Sequence, residues 1–266
     1  MEKLNFDEVR SIQLEMLEKF AAFCEKNNLR YFLDAGTLLG AIRHQGFIPW
    51  DDDVDVGMPR PDYERFIKLA KNGFGHSLVL SEPEDGIYPM LKIVDSETLM
   101  IEFPDTIRNE IGVYIDVFPK DGLPNEGFYS KYLCKKVRLL ILVNWFNKVS
   151  IFKWRNEKNF LKKVFAFTGR FLINDRNKNW ALNKLHRIAK KFNFEESPFS
   201  ATIIAGGMAN CVEKKCLEHY EKMKFEHLEL NVPIGWDKYL TKLYGEYMVI
   251  PPKDKQVTHD MIAYKK

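Results

Sequence analysis

The sequence lacks most features that would set it apart from ordinary globular proteins. It has 4 cysteines, Cys24, Cys134, Cys211 and Cys216, none in Cys-x-x-Cys spacing. Structural zinc wants tighter pairs and a secreted disulfide framework a smaller chain, so reduced, partly buried thiols in the cytosol are expected. No apolar run approaches the ~20 residues that a membrane-spanning helix needs. The longest in the middle is Leu139 to Val143, and Met1-Glu2-Lys3-Leu4-Asn5 has no signal-peptide core. A cytoplasmic protein is expected, either soluble or peripheral at the inner face of the plasma membrane.

Net charge is also scarce, at +3 over 266 residues, and the apolar fraction of 45% is that of a folded protein. This length suffices for one large domain or a domain with an appendage. The small total hides a polarised distribution. Between Lys131 and Lys191 there are seventeen Lys and Arg against two acids, Glu157 and Asp175. A basic segment therefore interrupts an acidic body.

What the chain does have is concentrated between Tyr31 and Pro61. A short strand, Tyr31 to Leu33, is predicted to lead into a helix opened by Gly36-Thr37. A turn at Gly46 to Pro49 and a second strand, Asp53 to Val56, follow. In an extended chain side chains alternate, so Asp53 and Asp55 face one way while Val54 and Val56 enter the core. Two carboxylates so close repel unless a cation intervenes, and hard oxygen ligands favour Mg²⁺ or Mn²⁺. Upstream, a glycine at a strand-to-helix junction lets backbone approach an anion, and the first free N–H groups of the helix carry partial positive charge. The combination reads as a phosphate cradle at Gly36 and Thr37 facing a metal cradle.

Other stretches are read along the chain. Asp7 can cap a helix to about Lys26 whose apolar stripe is packing, not chemistry. Asp34 either caps a turn or touches substrate. Arg43 can fork onto a phosphate or satisfy the last helix carbonyls, and His44 is a site residue or a dipole partner. Trp50 reads as a packed wall behind the acids. A helix is expected over Asp62 to Lys71, and strands over Leu78 to Ser81, Met90 to Val94 and Thr98 to Ile101. In Val113 to Phe118, Asp116 is bracketed by Ile115 and Val117. A lone acid in an apolar strand calls for a shared metal, or else a core arginine. Pro119 to Asn125 reads as a turn-rich exit. From Ser200 the pattern gives a strand, a Gly206-Gly207 loop, a helix over Glu213 to Met223, a strand over Phe225 to Val232, and a helix from Trp236 to Tyr244 ended by Gly245.

Gly36-Thr37-Leu38-Leu39-Gly40-Ala41-Ile42-Arg43-His44, followed by Gly46-Phe47-Ile48-Pro49-Trp50-Asp51-Asp52-Asp53-Val54-Asp55, resembles the signature of the LicD family, bacterial phosphocholine transferases related to fukutin. Gly112 to Gly122 and Tyr239 to Pro252 resemble that family's third-carboxylate strand and C-terminal signature. The resemblance covers about residues 8 to 122 and 200 to 260. It implies a nucleotidyltransferase-like mixed β-sheet flanked by helices, an α+β or α/β arrangement, with a basic, aromatic-rich helical insertion. Residues 1–127 would form the catalytic core, 128–199 the insertion and 200–266 the part completing the core. It further implies catalytic, metal-binding Asp53, Asp55 and Asp116. Gly36, Thr37, Arg43, His44, Asp52 and Lys92 are expected around the phosphates. Lys92 would reach a donor pyrophosphate or else face solvent, and a role for His259 is implied as an option. The implied reaction takes a phospho-alcohol from a CDP-linked donor such as CDP-choline to a hydroxyl of a teichoic acid, lipopolysaccharide or capsule precursor. A nucleotidyltransferase attacking the α-phosphate of an NTP shares the same machinery, and a non-catalytic glycan- or lipid-binding scaffold is the third option.

Residues 128 to 192 interleave Phe128, Tyr132, Leu139, Trp145, Phe152 and Trp154 with lysine and arginine. This composition suits an anionic membrane surface, and with it a lipid-linked acceptor, or an ordinary helical subdomain with solvated lysines. No nucleic-acid motif is present.

Overall fold

The first helix shows how local chemistry sets an element's start. Asn5 accepts a hydrogen bond from the Glu8 amide at 3.0 Å, and the Glu8 carboxylate accepts one from the Asn5 amide at 2.7 Å. This reciprocal box caps α1, Phe6–Lys26, so the cap is Asn5 and not Asp7. Val9, Met16, Leu17, Phe20 and Cys24 form its buried stripe. The structure is a computed structural model and describes residues 1–71, 74–75, 77–83, 88–102, 109–148, 179–205, 208, 210–256, 258 and 261–266. Much of the basic segment, 149–178, together with the Gly206-Gly207 loop and His259, lies outside the described residues.

The remaining elements follow in chain order, beginning before α1 with β1, Glu2–Lys3. They are β2 Phe32–Leu33, α2 Ala35–His44, β3 Asp55–Pro59, α3 Arg60–Ala70, β4 Leu78–Ser81, β5 Leu91–Asp95, β6 Thr98–Glu102, β7 Asn109–Ile111 and β8 Tyr114–Leu123. After these come α4 Phe128–Lys148, α5 Trp180–Ala189, β9 Phe199–Ala201, β10 Val212–Glu213, β11 Tyr220–Phe225, β12 Leu228–Pro233, α6 Trp236–Tyr244 and β13 Met261–Lys265. The fold is a mixed sheet flanked by helices, as expected of a nucleotidyltransferase-like architecture.

The main sheet is organised on β8, the longest strand. It runs parallel to β3, and antiparallel to β5 along its first half and to β9 at its end. β2 pairs β3, β4 pairs β5, and β10 pairs β9. A second sheet has the order β1-β13-β6-β7, and β11 with β12 forms a hairpin. Val54, Val56, Ile115 and Val117 are wholly buried in the core beneath the main sheet. A second core, including Leu123, Val137, Leu140, Ala181, Leu185, Ile203 and Ile204, joins α4 and α5 to the end of β8. No helix among the described residues is long and apolar enough to cross a membrane, and all four cysteines are free and buried.

Four expected elements differ. The stretch from Pro119, read as a turn, continues as strand through Leu123, because pairing to β3 and β9 on either side overrides its Pro-Lys-Asp-Gly turn chemistry. The expected helix over Glu213 to Met223 is instead β10, a short 3₁₀ turn and the start of β11. Glu226, at φ 56°, makes the hairpin turn after it, so the single strand expected over Phe225 to Val232 is split between the end of β11 and β12; Met223, Phe225, Leu228 and Leu230 carry a strand period that the intervening Lys and Glu residues disguise. The second acidic strand begins at Asp55, so Asp53 precedes it, yet the alternation of buried Val54 and Val56 with less buried Asp53 and Asp55 holds.

Continuing β8 as strand buries two charged residues that a turn would have exposed. Asp121 is held by Arg60, whose Nε and Nη2 donate to its two oxygens at 2.6 and 3.0 Å. Arg60→Met leaves that carboxylate uncompensated and is expected to cost about 3–5 kcal/mol, read as a fall in the urea midpoint. Arg60→Met with Asp121→Leu is expected to restore most of it.

Candidate active site

β3 and β8 lie in parallel register with Asp55 opposite Asp116, and β5 lies antiparallel with Lys92 opposite Asp116. Side chains in one cross-strand row share a face, so this register brings Asp55, Asp116 and Lys92 together. Asp53 joins them two residues before Asp55. Burial first, then the charges of Asp53 and Asp116, push the Asp55 carboxyl well above its ordinary value. Asp116 is also raised, by burial, despite the lowering effect of Lys92.

Lys92 does not face solvent. It is 3% exposed, and its ammonium lies 2.8 Å from Oδ1 and 3.0 Å from Oδ2 of Asp116, with the hydrogen bond going to Oδ2. The counter-ion of Asp116 is therefore a lysine on the neighbouring strand and not a core arginine. Oδ1 of Asp116 is buried without a hydrogen-bond partner.

Gly36, Asp51, Asp53, Asp55, Arg43 and Trp50 line a cavity of about 430 Å³, whose other wall is Tyr244, Glu246, Tyr247, Val249 and Pro251. Gly36 stands so close to Asp51 that a Cβ there would lie 2.7 Å from its Oδ2. Ala35, just before it, sits at φ 42°, a left-handed conformation that α2 opens with. Thr37 is placed differently: it is buried, and its hydroxyl accepts the Asp55 amide at 2.8 Å, fastening α2 to the acidic strand. Arg43 donates to the Tyr247 carbonyl at 2.6 Å and to His44 Nε2 at 2.9 Å. His44 thus accepts from Arg43, and burial followed by the Arg43 charge lowers its pKa. Asp52 is buried and is not part of the cavity wall. Trp50 is partly buried against the core, as expected of a wall.

Several supporting residues carry no motif of their own. Arg10 of α1 donates to the Asp51 carbonyl at 2.6 Å and also to that of Ile48, and Gln13 donates to the Asp52 carbonyl at 3.0 Å. The helix read as packing alone therefore also clamps the acidic loop. Lys120, wholly buried, pairs with Asp34 at 2.5 Å and donates to Tyr239 and Thr202 at 2.8 and 2.9 Å. Tyr239 in turn donates to Asp34 at 2.6 Å, and its pKa is pushed far up by burial and then by Asp34, so it remains a donor. Asp34 is both the cap of α2 and the acceptor of this network. Gly57 makes room for it, since a Cβ there would meet the Phe32 ring and Lys120 Cε within 2.9 Å. The polar residues Tyr239 and Lys120 give no periodic signal.

The donor set is of the kind a hard divalent ion takes, carboxylate oxygens with like charges on one face. Among the described residues no group of three or more His, Cys, Asp or Glu is gathered closely enough to hold an ion as it stands.

Comparison with known proteins bears on the same stretch. Residues 28–132 match the family model LicD/FKTN/FKRP, nucleotidyltransferase domain. The chain is 31% identical to the lipopolysaccharide cholinephosphotransferase LicD of Haemophilus influenzae over 97% of either chain. It is 56% identical over 99 residues to human ribitol 5-phosphate transferase FKRP, covering 37% of this chain and 19% of that protein. Mannosyltransferase regulator 4 of Saccharomyces cerevisiae is 25% identical over 46% of this chain and 11% of its own length.

Because Asp55 holds its proton more tightly folded than unfolded, its contribution to stability declines as pH rises above the ordinary carboxylate range. In chelator, Asp55→Asn is expected to melt at a higher temperature than the natural chain. That difference should grow from acid to neutral pH, as thermal melts across the range will show.

Proposed function

The chain belongs to the LicD family of phosphotransferases, and from that membership and the geometry of the acids we propose that it transfers a phospho-alcohol, first of all phosphocholine, from a CDP-linked donor to a hydroxyl of a cell-surface glycan precursor. The observation that carries this reading is the cavity itself, where Asp53, Asp55 and Gly36 converge with Arg43 on one pocket. The relative matched over nearly the whole chain is by name a lipopolysaccharide cholinephosphotransferase, which supports both the transferred group and a lipopolysaccharide-type acceptor over teichoic acid or capsule.

In this reading the acceptor hydroxyl oxygen forms the new bond to the distal phosphorus of the donor. The bond from that phosphorus to the bridging oxygen breaks, and CMP leaves with its electron pair. Asp51 lines the pocket whereas Asp52 is buried, which favours Asp51 over Asp52 as the acceptor of the hydroxyl proton. Arg43, with the Gly36 backbone, faces the donor phosphates. Asp53, Asp55 and Asp116 would hold Mg²⁺ or Mn²⁺, which supplies neutralisation of charge developing on the phosphoryl oxygens. A nucleotidyltransferase acting on an NTP would use the same groups and release pyrophosphate. A purely binding role leaves three like charges on one face without a purpose.

With Mg²⁺, CDP-choline and a glycan acceptor, CMP release is expected, and CTP should give no pyrophosphate. Pyrophosphate in place of CMP would favour the nucleotidyltransferase reading. Asp53→Asn is expected to lower CMP release by roughly a hundredfold or more, the scale of losing one pre-placed charge-stabilising group.

One observation favours a lipid-linked acceptor and a peripheral location. On α4, Phe128, Tyr132, Leu139 and Leu142 are exposed, spaced as one helical stripe, among exposed Lys131, Lys135, Lys136 and Arg138. An apolar stripe edged with cations suits an anionic bilayer surface. Co-flotation with phosphatidylglycerol-containing liposomes at low salt is expected, weakening as salt rises; no co-flotation at low salt removes this part of the reading.

A further inference from the structure

The two walls of the cavity differ in chemistry. One carries Asp51, Asp53 and Asp55 with Gly36, and the other is the stretch from the end of α6 onward. Tyr244 is the last residue of α6, and Gly245, at φ 68°, turns the chain so that Glu246 and Tyr247 follow it on the lining. Trp50, from the acidic loop, is the third aromatic residue there. Tyr247 is fixed in place, since its hydroxyl donates to Asp237 at 2.5 Å and its carbonyl accepts from Arg43 at 2.6 Å. Tyr244 is 46% exposed, so its ring is open to whatever enters.

The side chains missing from the lining matter as much. Among the described residues it has no serine, threonine, asparagine, glutamine, histidine or lysine. A polyol, whose hydroxyls each donate and accept, is held by such groups, whereas carboxylates only accept. A quaternary ammonium has no N–H to satisfy and is held by aromatic faces, apolar contact and negative charge. The lining supplies all of these, through Trp50 and Tyr244, through Val249 and Pro251, and through Glu246. Its four carboxylates, Asp51, Asp53, Asp55 and Glu246, outnumber its one cation, Arg43. Even with a divalent ion on Asp53 and Asp55 the balance stays negative, which favours a cationic ligand group. The Arg43 guanidinium stands 6.0 Å from the Trp50 ring centroid. A group suited to a phosphate thus adjoins a ring suited to a cation, as phosphate and ammonium adjoin in phosphocholine across two carbons.

We propose that Trp50, Tyr244 and Glu246 seat the quaternary ammonium of the transferred group, with its phosphate on the Arg43 side, and so select phosphocholine over a phosphopolyol. This rests on the transfer reading above and adds to it the residues that choose the group.

The test compares two donors that share cytidine and diphosphate and differ only in the alcohol. CDP-choline and CDP-ribitol are titrated calorimetrically into the full chain in Mg²⁺ without acceptor, and CMP release is measured separately. The natural chain is expected to bind CDP-choline at least tenfold more tightly, and Tyr244→Phe, which keeps the ring, should preserve that ratio. Tyr244→Leu is expected to lower the ratio roughly tenfold, the scale of one desolvated cation–π contact. Glu246→Gln should lower it about threefold, as for loss of one exposed charge pair. Circular dichroism checks the fold of each variant, and if Tyr244→Leu does not fold, Glu246→Gln and the natural order of affinities decide. Equal binding of the two donors by the natural chain, or an unchanged ratio in Tyr244→Leu and Glu246→Gln, would overturn the proposal. So would a Tyr244→Leu variant that weakens both donors alike, because the ring would then be stacking on the shared cytosine. Equal binding with CMP still released removes the seat and leaves the transfer reading. Preferential binding of CDP-choline without CMP release leaves the seat and removes the transfer reading.

Discussion

Everything at the active face depends on the parallel pairing of β3 with β8, which sets Asp55 opposite Asp116. Left to themselves, two facing carboxylates in one row would push these strands apart or out of register. Apolar burial outweighs that. Val54, Val56, Ile115 and Val117 are wholly buried on the opposite face, and each such side chain contributes roughly 1.5–3 kcal/mol. Because side chains alternate along a strand, a one-residue slip would send these valines to the cavity and the acids to the core. The same alternation that makes the pocket acidic therefore fixes its register.

The buried ion pairs around this row add specificity more than stability, since desolvation consumes much of what Coulomb attraction returns. Their value lies in which segments they join. Lys120 with Asp34 links the late half of β8 to the cap of α2, and Tyr239 brings in α6. Arg60 with Asp121 fixes the start of α3 against the same strand. Lys92 with Asp116 ties β5 to β8. Each pair would be left with an unpaired buried charge in a wrong docking, so alternative arrangements are penalised.

Much of this was legible in the sequence, and what was not has a common cause. The alternation of Asp53, Val54, Asp55 and Val56, the glycine at the opening of α2 and the single acid in an apolar strand are local patterns, and local patterns survive in the fold. Helix α6 was bounded correctly for the same reason, with Gly245 ending it. The failures occurred where a distant partner overruled local chemistry. Pro119 to Leu123 carries turn residues but is held as strand by β3 and β9. Lys92 can be read as a solvent-facing lysine, and Lys120 as part of a turn, until Asp116 and Asp34 are placed beside them. Arg10 and Gln13 were hidden because a helix periodicity marks its buried face and gives no account of which polar group reaches across to the loop at Ile48 to Asp52.

The division between chemistry and wall follows from the same geometry. The residues that gather charge, from Gly36 to Asp116, fall within the stretch shared with the family model, residues 28–132. The facing wall, Tyr244 to Pro251, falls outside it and is attached through polar contacts that include Arg43 to the Tyr247 carbonyl and those of Tyr239 with Asp34 and Lys120. Those contacts use the backbone of the wall at Tyr247 and a residue of α6 behind it. The wall's side chains at Tyr244, Glu246 and Val249 are thereby left to meet whatever enters. A wall anchored at Tyr247 can change the side chains that face the cavity at Tyr244, Glu246 and Val249 without disturbing the acids across from it.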